Sequence, residues 1–205
     1  MRLVSRLEKD GVSRLILDTL AMSVRKIEPF YDTLEISFGG KNSVRITDSA
    51  VFISLDKSND FLMERDEKAI KALVLKLVAL AGTRRLAINV PFLEEILSDR
   101  ELIKDGFGDE LFYYYYLSLA NAEKSAGFEK FLEISIPWLS FAGLDDSYSS
   151  FLFNLSKIFN YRKEFESVTK DFFEKVRKMK KTDVQAVAKA YVSLVSKYNS
   201  SIEAS

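Results

Sequence analysis

Apolar positions near the start of the chain recur at close to helical spacing. Val12, Ile16, Leu20, Val24 and Ile27 mark one face of an amphipathic helix that ends before Pro29, whose ring blocks continuation. The period then shortens to two. Leu34, Ile36 and Phe38 alternate with Thr33, Glu35 and Ser37; Val44 and Ile46 flank Arg45; Val51, Ile53 and Leu55 follow a polar break at Asp48-Ser49. With Gly39-Gly40-Lys41-Asn42 read as a hairpin turn, this segment is expected to be a three-stranded antiparallel meander with one buried face.

From Asp66 onward the pattern is helical. Asp66 suits the cap of a helix running to Gly82, and between Ala69 and Ala81 only Lys71 and Lys76 interrupt an apolar surface that goes all the way round, so this helix is expected to be central. Pro91 opens a short helix, Ser98 with Glu101 reads as a capping box for the next, and Gly106-Phe107-Gly108 leads into another near Asp109. Further helices are marked by Tyr148 to Phe159, by Phe165, Val168, Phe172, Val176 and Met179, and by Val184, Val187, Ala188, Tyr191, Val195 and Tyr198, the last preceded by a Thr182/Gln185 capping signal. The expected fold is α+β: an N-terminal helix, the three-stranded meander, then mostly helix. A single domain over residues 1–205 is expected, with a helical continuation over 109–198 and a polar tail from Asn199 to Ser205.

Composition narrows the chemistry more than any motif. The 205 residues include no histidine and no cysteine, which removes histidine- and thiolate-based zinc sites and histidine-dependent nucleophiles. The remaining chemistries are a carboxylate site for a hard metal, a lysine or tyrosine acting as acid or base, or no catalysis. With 30 basic and 30 acidic residues, no net charge favours nucleic acid or a membrane surface. No apolar stretch is long enough to span a bilayer, and Glu8, Lys9 and Asp10 interrupt the N-terminus before a signal-like core forms, so a cytoplasmic location is expected.

Several local patterns suggest sites. Ser167-Val168-Thr169-Lys170 has the S-x-x-K form of lysine-assisted serine hydrolases, but no S-D-N or K-T-G follows it. Asp56 to Asp60 alternates oxygen ligands like a calcium loop and Glu67 stands twelfth, yet Phe61 sits where such loops need glycine, so a surface loop is expected. Lys175, Arg177, Lys178, Lys180 and Lys181 form a basic run at a helix end, readable as favourable charge against the dipole or as a nucleic-acid patch. Tyr113, Tyr114, Tyr115 and Tyr116 are four consecutive helical rings pointing round the circumference; they read as the wall of a groove or subunit contact, or as packing between helix layers.

The order helix, meander, apolar helix, and then a short helix containing Glu95-Ile96-Leu97-Ser98-Asp99 resembles the gluzincin type of zincin metallopeptidase over residues 12–104. In that family the apolar helix carries His-Glu-x-x-His and a later helix supplies a glutamate ligand. Here Lys76-Leu77-Val78-Ala79-Leu80 stands where the first motif would fall, without its histidines or glutamate. The resemblance implies a pseudoenzyme with a remnant site at Lys76, Leu77, Leu80, Glu95 and Asp99, in which Lys76 pairs with Glu95 in place of zinc, and no metal or cofactor. The functional expectation is a non-catalytic protein that binds a partner or assembles with itself. The alternatives are a magnesium- or manganese-dependent hydrolase using Asp56, Asp60, Glu94, Glu95 or Asp99, and a nucleic-acid binder working through the basic run.

Overall fold

The computed structural model describes residues 1–121, 127–159 and 163–203. It is an α+β protein dominated by helix. The chain forms two compact units: the first takes in Met1–Ala87 and Leu97–Leu117, the second Ile88–Ile96 and Ser118–Ser205.

The first unit opens on a strand the periodicity did not reveal, β1 (Arg2–Arg6), which is largely exposed and so lacks the alternation that marks a half-buried strand. The expected helix follows as α1 (Gly11–Ser23), capped by Asp10, whose carboxylate accepts from Ser13 N–H at 2.7 Å, and extended by a 3-10 turn, Val24–Lys26. The three predicted strands are β2 (Thr33–Gly39), β3 (Ser43–Ile46) and β4 (Ala50–Asp56).

They do not form a meander. The sheet order is β1-β2-β4-β3, with β1 parallel to β2, β2 parallel to β4, and only β3 and β4 antiparallel. Alternation reports which face a residue lines, not which strand lies beside it. β2 and β4 each bury a run of apolar side chains and take the centre, whereas β3 is four residues long with Val44 alone fully buried and lies at the edge. Gly39 to Asn42 is therefore a crossing over the end of β4 rather than a hairpin turn. It spans two strand spacings, about 10 Å, within reach of a few extended residues. Asn42 Oδ1 accepts from Asp56 N–H at 2.8 Å, and a side chain at position 39 would run into the Ser54 hydroxyl.

One sheet face is covered by α1 and by α3 (Glu67–Arg84), after a single turn α2 (Asp60–Met63). Asp66 caps α3 through Ala69 N–H at 3.0 Å, and eleven of the eighteen residues of α3 are buried, among them Leu73, Val74 and Val78. Ile16, Leu20, Leu34, Ile36, Val51, Ile53 and Ile70 complete this core. α4 (Pro91–Leu102) runs past the expected capping box, which leaves Ser98 buried inside a helix: any serine three residues before a glutamate on one helical face satisfies that pattern. A π-helical turn, Ile103–Phe107, with Gly106 at φ 87°, joins α4 to α5 (Gly108–Ala120).

The second unit adds α6 (Phe128–Phe141), α7 (Asp146–Ser156), α8 (Lys163–Lys178) and α9 (Val184–Glu203). α6 was not expected from the sequence: it carries Pro137, a residue that ordinarily breaks helices, inside a segment where Glu129, Lys130 and Glu133 alternate with buried apolar residues. α9 is entered through a 3-10 turn, Lys181–Asp183, in which Asp183 accepts from Lys180 N–H at 3.2 Å, so the expected Thr182/Gln185 cap does not form. The segment expected as a polar tail is helical to Glu203, and residues 204–205 lie outside those described. Rings knit this unit together: Phe128 stacks on Tyr198 at 4.0 Å between centroids, Phe92 on Tyr191 at 5.6 Å, and Phe131 lies 5.7 Å from Phe165. Among the described residues, no helix is long and apolar enough to cross a membrane.

Candidate functional site

Two of the sequence-derived groups meet in the first unit. Lys76 on α3 donates to Asp99 Oδ1 on α4 at 3.0 Å and to the Tyr115 hydroxyl on α5 at 2.6 Å, while that hydroxyl donates to Asp99 Oδ2. The Asp99 side chain is wholly buried, that of Lys76 is 13% exposed, and Tyr115 is buried. A phenol has one hydrogen to give and lone pairs to receive, so it can accept from the amine and donate to the carboxylate at once. The ammonium also lies 4.8 Å from the Tyr115 ring centre. Lys76 was expected to meet a carboxylate, Glu95 under the zincin resemblance; the carboxylate it meets within the first unit is Asp99. Leu77 and Leu80 of the proposed remnant belong to the apolar core, and Glu95 belongs to the second unit.

The tyrosine run divides by environment. Tyr113 is half-buried and donates to Asp66 Oδ2 at 2.8 Å; that hydrogen bond, ahead of desolvation, holds its phenol above the ordinary tyrosine pKa. Tyr114 packs on the core edge-on to Phe61, at 5.4 Å, and Tyr115 completes the buried cluster. Tyr116 is 40% exposed.

The candidate acids do not gather: among the described residues, no group of three carboxylates is placed to hold a metal ion. Asp56 accepts from the amide and hydroxyl of Ser58, at 2.9 and 2.7 Å, which keeps its carboxyl below the usual range, and Asn59 caps α2 through Phe61 N–H. The stretch that resembled a calcium loop is a capped surface turn. In the basic run Lys175, Arg177, Lys178 and Lys180 are exposed, but Glu174 draws in Arg177 at 3.1 Å and Lys178 at 3.6 Å. The Lys181 side chain lies outside the described residues.

The second unit holds an open pocket of about 590 Å³ between α6, α7 and α8, a size suited to a small organic ligand. Phe131, Trp138, Phe153 and Phe173 form its apolar surface, with Trp138 edge-on to both Phe153 and Phe173 at 5.2 and 5.3 Å. Each helix contributes one face, for instance Phe131, Ser135 and Trp138 from α6 at four- and three-residue steps, and Ser149, Phe153 and Ser156 from α7 at the same steps. Asp145 fixes the start of α7 by accepting from Ser147 and Tyr148 amides at 3.1 and 3.0 Å. Of the residues singled out in the sequence, only Arg177 and Lys170 reach this pocket, and Ser167 is not part of its lining. Its signal in the sequence was the repeated serine-and-aromatic spacing, which also fits ordinary helix packing. No family model, curated protein or solved structure matches this chain.

Proposed function

We propose that this protein works by binding rather than by catalysis, with the three-helix pocket of the second unit as its recognition site. The observation that carries this reading is the pocket itself: a concavity of ligand size with aromatic walls, buried hydroxyls and a charged rim. The contrast with the first unit supports it. Lys76, Asp99 and Tyr115 are types that can move protons, yet they are buried and engaged with one another, the arrangement of a structural clasp. Tyr116, exposed on α5, supports a contact with a second copy or a protein partner as a further role.

Thermal-shift measurements on a panel of small organic ligands, run beside turnover assays with ester, phosphoester and peptide substrates in magnesium and manganese, test the proposal. A ligand at about a hundred times its dissociation constant should add about 2.7 kcal/mol of stability and raise the melting temperature. Turnover abolished by Asp99→Asn in a variant that keeps its fold would overturn the reading.

A further inference from the structure

From the distribution of charge and hydrogen-bonding capacity around this pocket, we infer that its ligand is an aromatic organic anion: a flat ring system with an N–H or O–H donor directed at the floor and one carboxylate- or sulfonate-type group at the rim. This rests on the binding role proposed for the same pocket.

Three buried serines set the floor. Ser135 donates to Phe131 O at 2.8 Å, Ser149 to Trp138 O at 2.9 Å and Ser156 to Phe153 O at 2.7 Å. A serine hydroxyl has a single hydrogen, so what these three offer inward is lone pairs, and the complementary ligand atom is a donor. The walls set the shape. Phe131, Trp138, Phe153 and Phe173 present faces and edges, which suit a flat ring.

The rim sets the charge. It carries Lys157, Lys170 and Arg177 against Glu166 and Glu174. Glu174 is already shared between Arg177 and Lys178, the latter outside the pocket lining. Lys157 reaches only the neutral Asn154 Oδ1 at 3.3 Å and the face of Phe153 at 4.5 Å. Lys170 makes no hydrogen bond or ion pair among the described residues. Two lysines thus face one carboxylate, Glu166, and the excess positive charge sits where an anionic substituent on a ring held by the walls would emerge.

The test uses a built-in reporter, since Trp138 is the only tryptophan in the chain and lines the pocket. Anilinonaphthalene sulfonate has the ring system, the N–H and the anion; N-phenylnaphthylamine is the same molecule without the sulfonate. Energy transfer from Trp138 to each probe is titrated against the native protein, Lys170→Glu and Lys157→Glu/Lys170→Glu, all changes at exposed positions that leave the core untouched. The sulfonate should bind at least about fivefold tighter than its neutral analogue, and the double reversal should weaken it by about tenfold while leaving the neutral probe unchanged. Equal affinity for the two probes, or no response to charge reversal, overturns the anion assignment and leaves the binding role standing. Absence of energy transfer from either probe overturns the pocket as a site, and the binding role with it. A free aromatic carboxylate that displaces the sulfonate, while anionic lipid vesicles do not, supports a small soluble ligand; displacement by vesicles alone overturns that part.

Discussion

Replacing Lys76 by methionine keeps most of the stem volume and removes the ammonium from a wholly buried carboxylate. Asp99 then retains only the Tyr115 hydroxyl of the contacts in this clasp. Breaking a buried ion pair from one side costs about 3–5 kcal/mol; because the Lys76 side chain keeps 13% exposure, the low end, about 3 kcal/mol, is expected. Tyr115→Phe removes hydrogen bonds to two charged partners and should cost about 1.5–3 kcal/mol. Lys76→Met/Asp99→Leu removes both charges together, so it should fall within about 1–2 kcal/mol of the native protein, giving a coupling energy of several kcal/mol in the double-mutant cycle. The only tryptophan lies in the second unit, so the first unit is best followed by urea unfolding with far-ultraviolet circular dichroism and by hydrogen exchange of α3 amides. For a unit of domain size, the single variant should lower the melting temperature by on the order of 10–20 °C. Additive single and double variants, or a loss under about 1 kcal/mol in Lys76→Met, would refute the clasp as a desolvated, mutually dependent cluster.

Asp145→Ala should cost the second unit about 1 kcal/mol at neutral pH through loss of the α7 cap. The Ser147 hydroxyl, followed by the Tyr148 amide, lowers the Asp145 pKa, so its stabilisation is complete above the ordinary aspartate range and disappears as pH falls through the depressed folded value; an acid limb in Trp138 fluorescence that is unchanged by the substitution contradicts this. Gly106→Ala places a side chain at φ 87° and should destabilise the first unit by about 1 kcal/mol in thermal melts, whereas a stabilised variant would mean the turn relaxes into ordinary helix. Elemental analysis of protein purified without chelator should find no stoichiometric zinc, given a chain without imidazole or thiol; one tightly held zinc per chain defeats that expectation. Tyr116→Ser tests the proposed contact by sedimentation velocity: the native protein should show an assembled fraction that the variant loses, and identical masses count against it.

The elements most legible in the sequence are those whose burial is one-sided or total. α1, β2, β4 and α3 all announced themselves, because a residue's place on a buried face is written in local spacing. Strand order was not legible. The parallel pairing of β2 with β4 depends on which strands bury most surface and on a glycine-bearing crossing that resembles a hairpin turn when read locally. β1 was missed for the opposite reason, since an exposed edge strand carries no alternation. In α6, the local preference of Pro137 against helix was outweighed by an apolar face packed against neighbouring helices.

The two candidate sites differ in the same way. Lys76 was conspicuous as one of two charges between Ala69 and Ala81 of a largely buried helix, and electrostatics alone required it to reach solvent or find a carboxylate. Its partners stand 23 and 39 residues away, so spacing could not select Asp99 and Tyr115, but the demand for a partner was already present in the sequence. The pocket made no such demand. A serine beside an aromatic ring on a helix face is energetically comfortable whether covered by another helix or open to a ligand, because its hydroxyl can satisfy itself on a backbone carbonyl one turn away, as Ser135 and Ser156 do. Structural clasps are therefore visible in a sequence as conflicts that must be resolved, whereas a binding site made of self-satisfied hydroxyls and aromatic walls presents no conflict. It becomes visible only when three helices are placed side by side and fail to close the space between them.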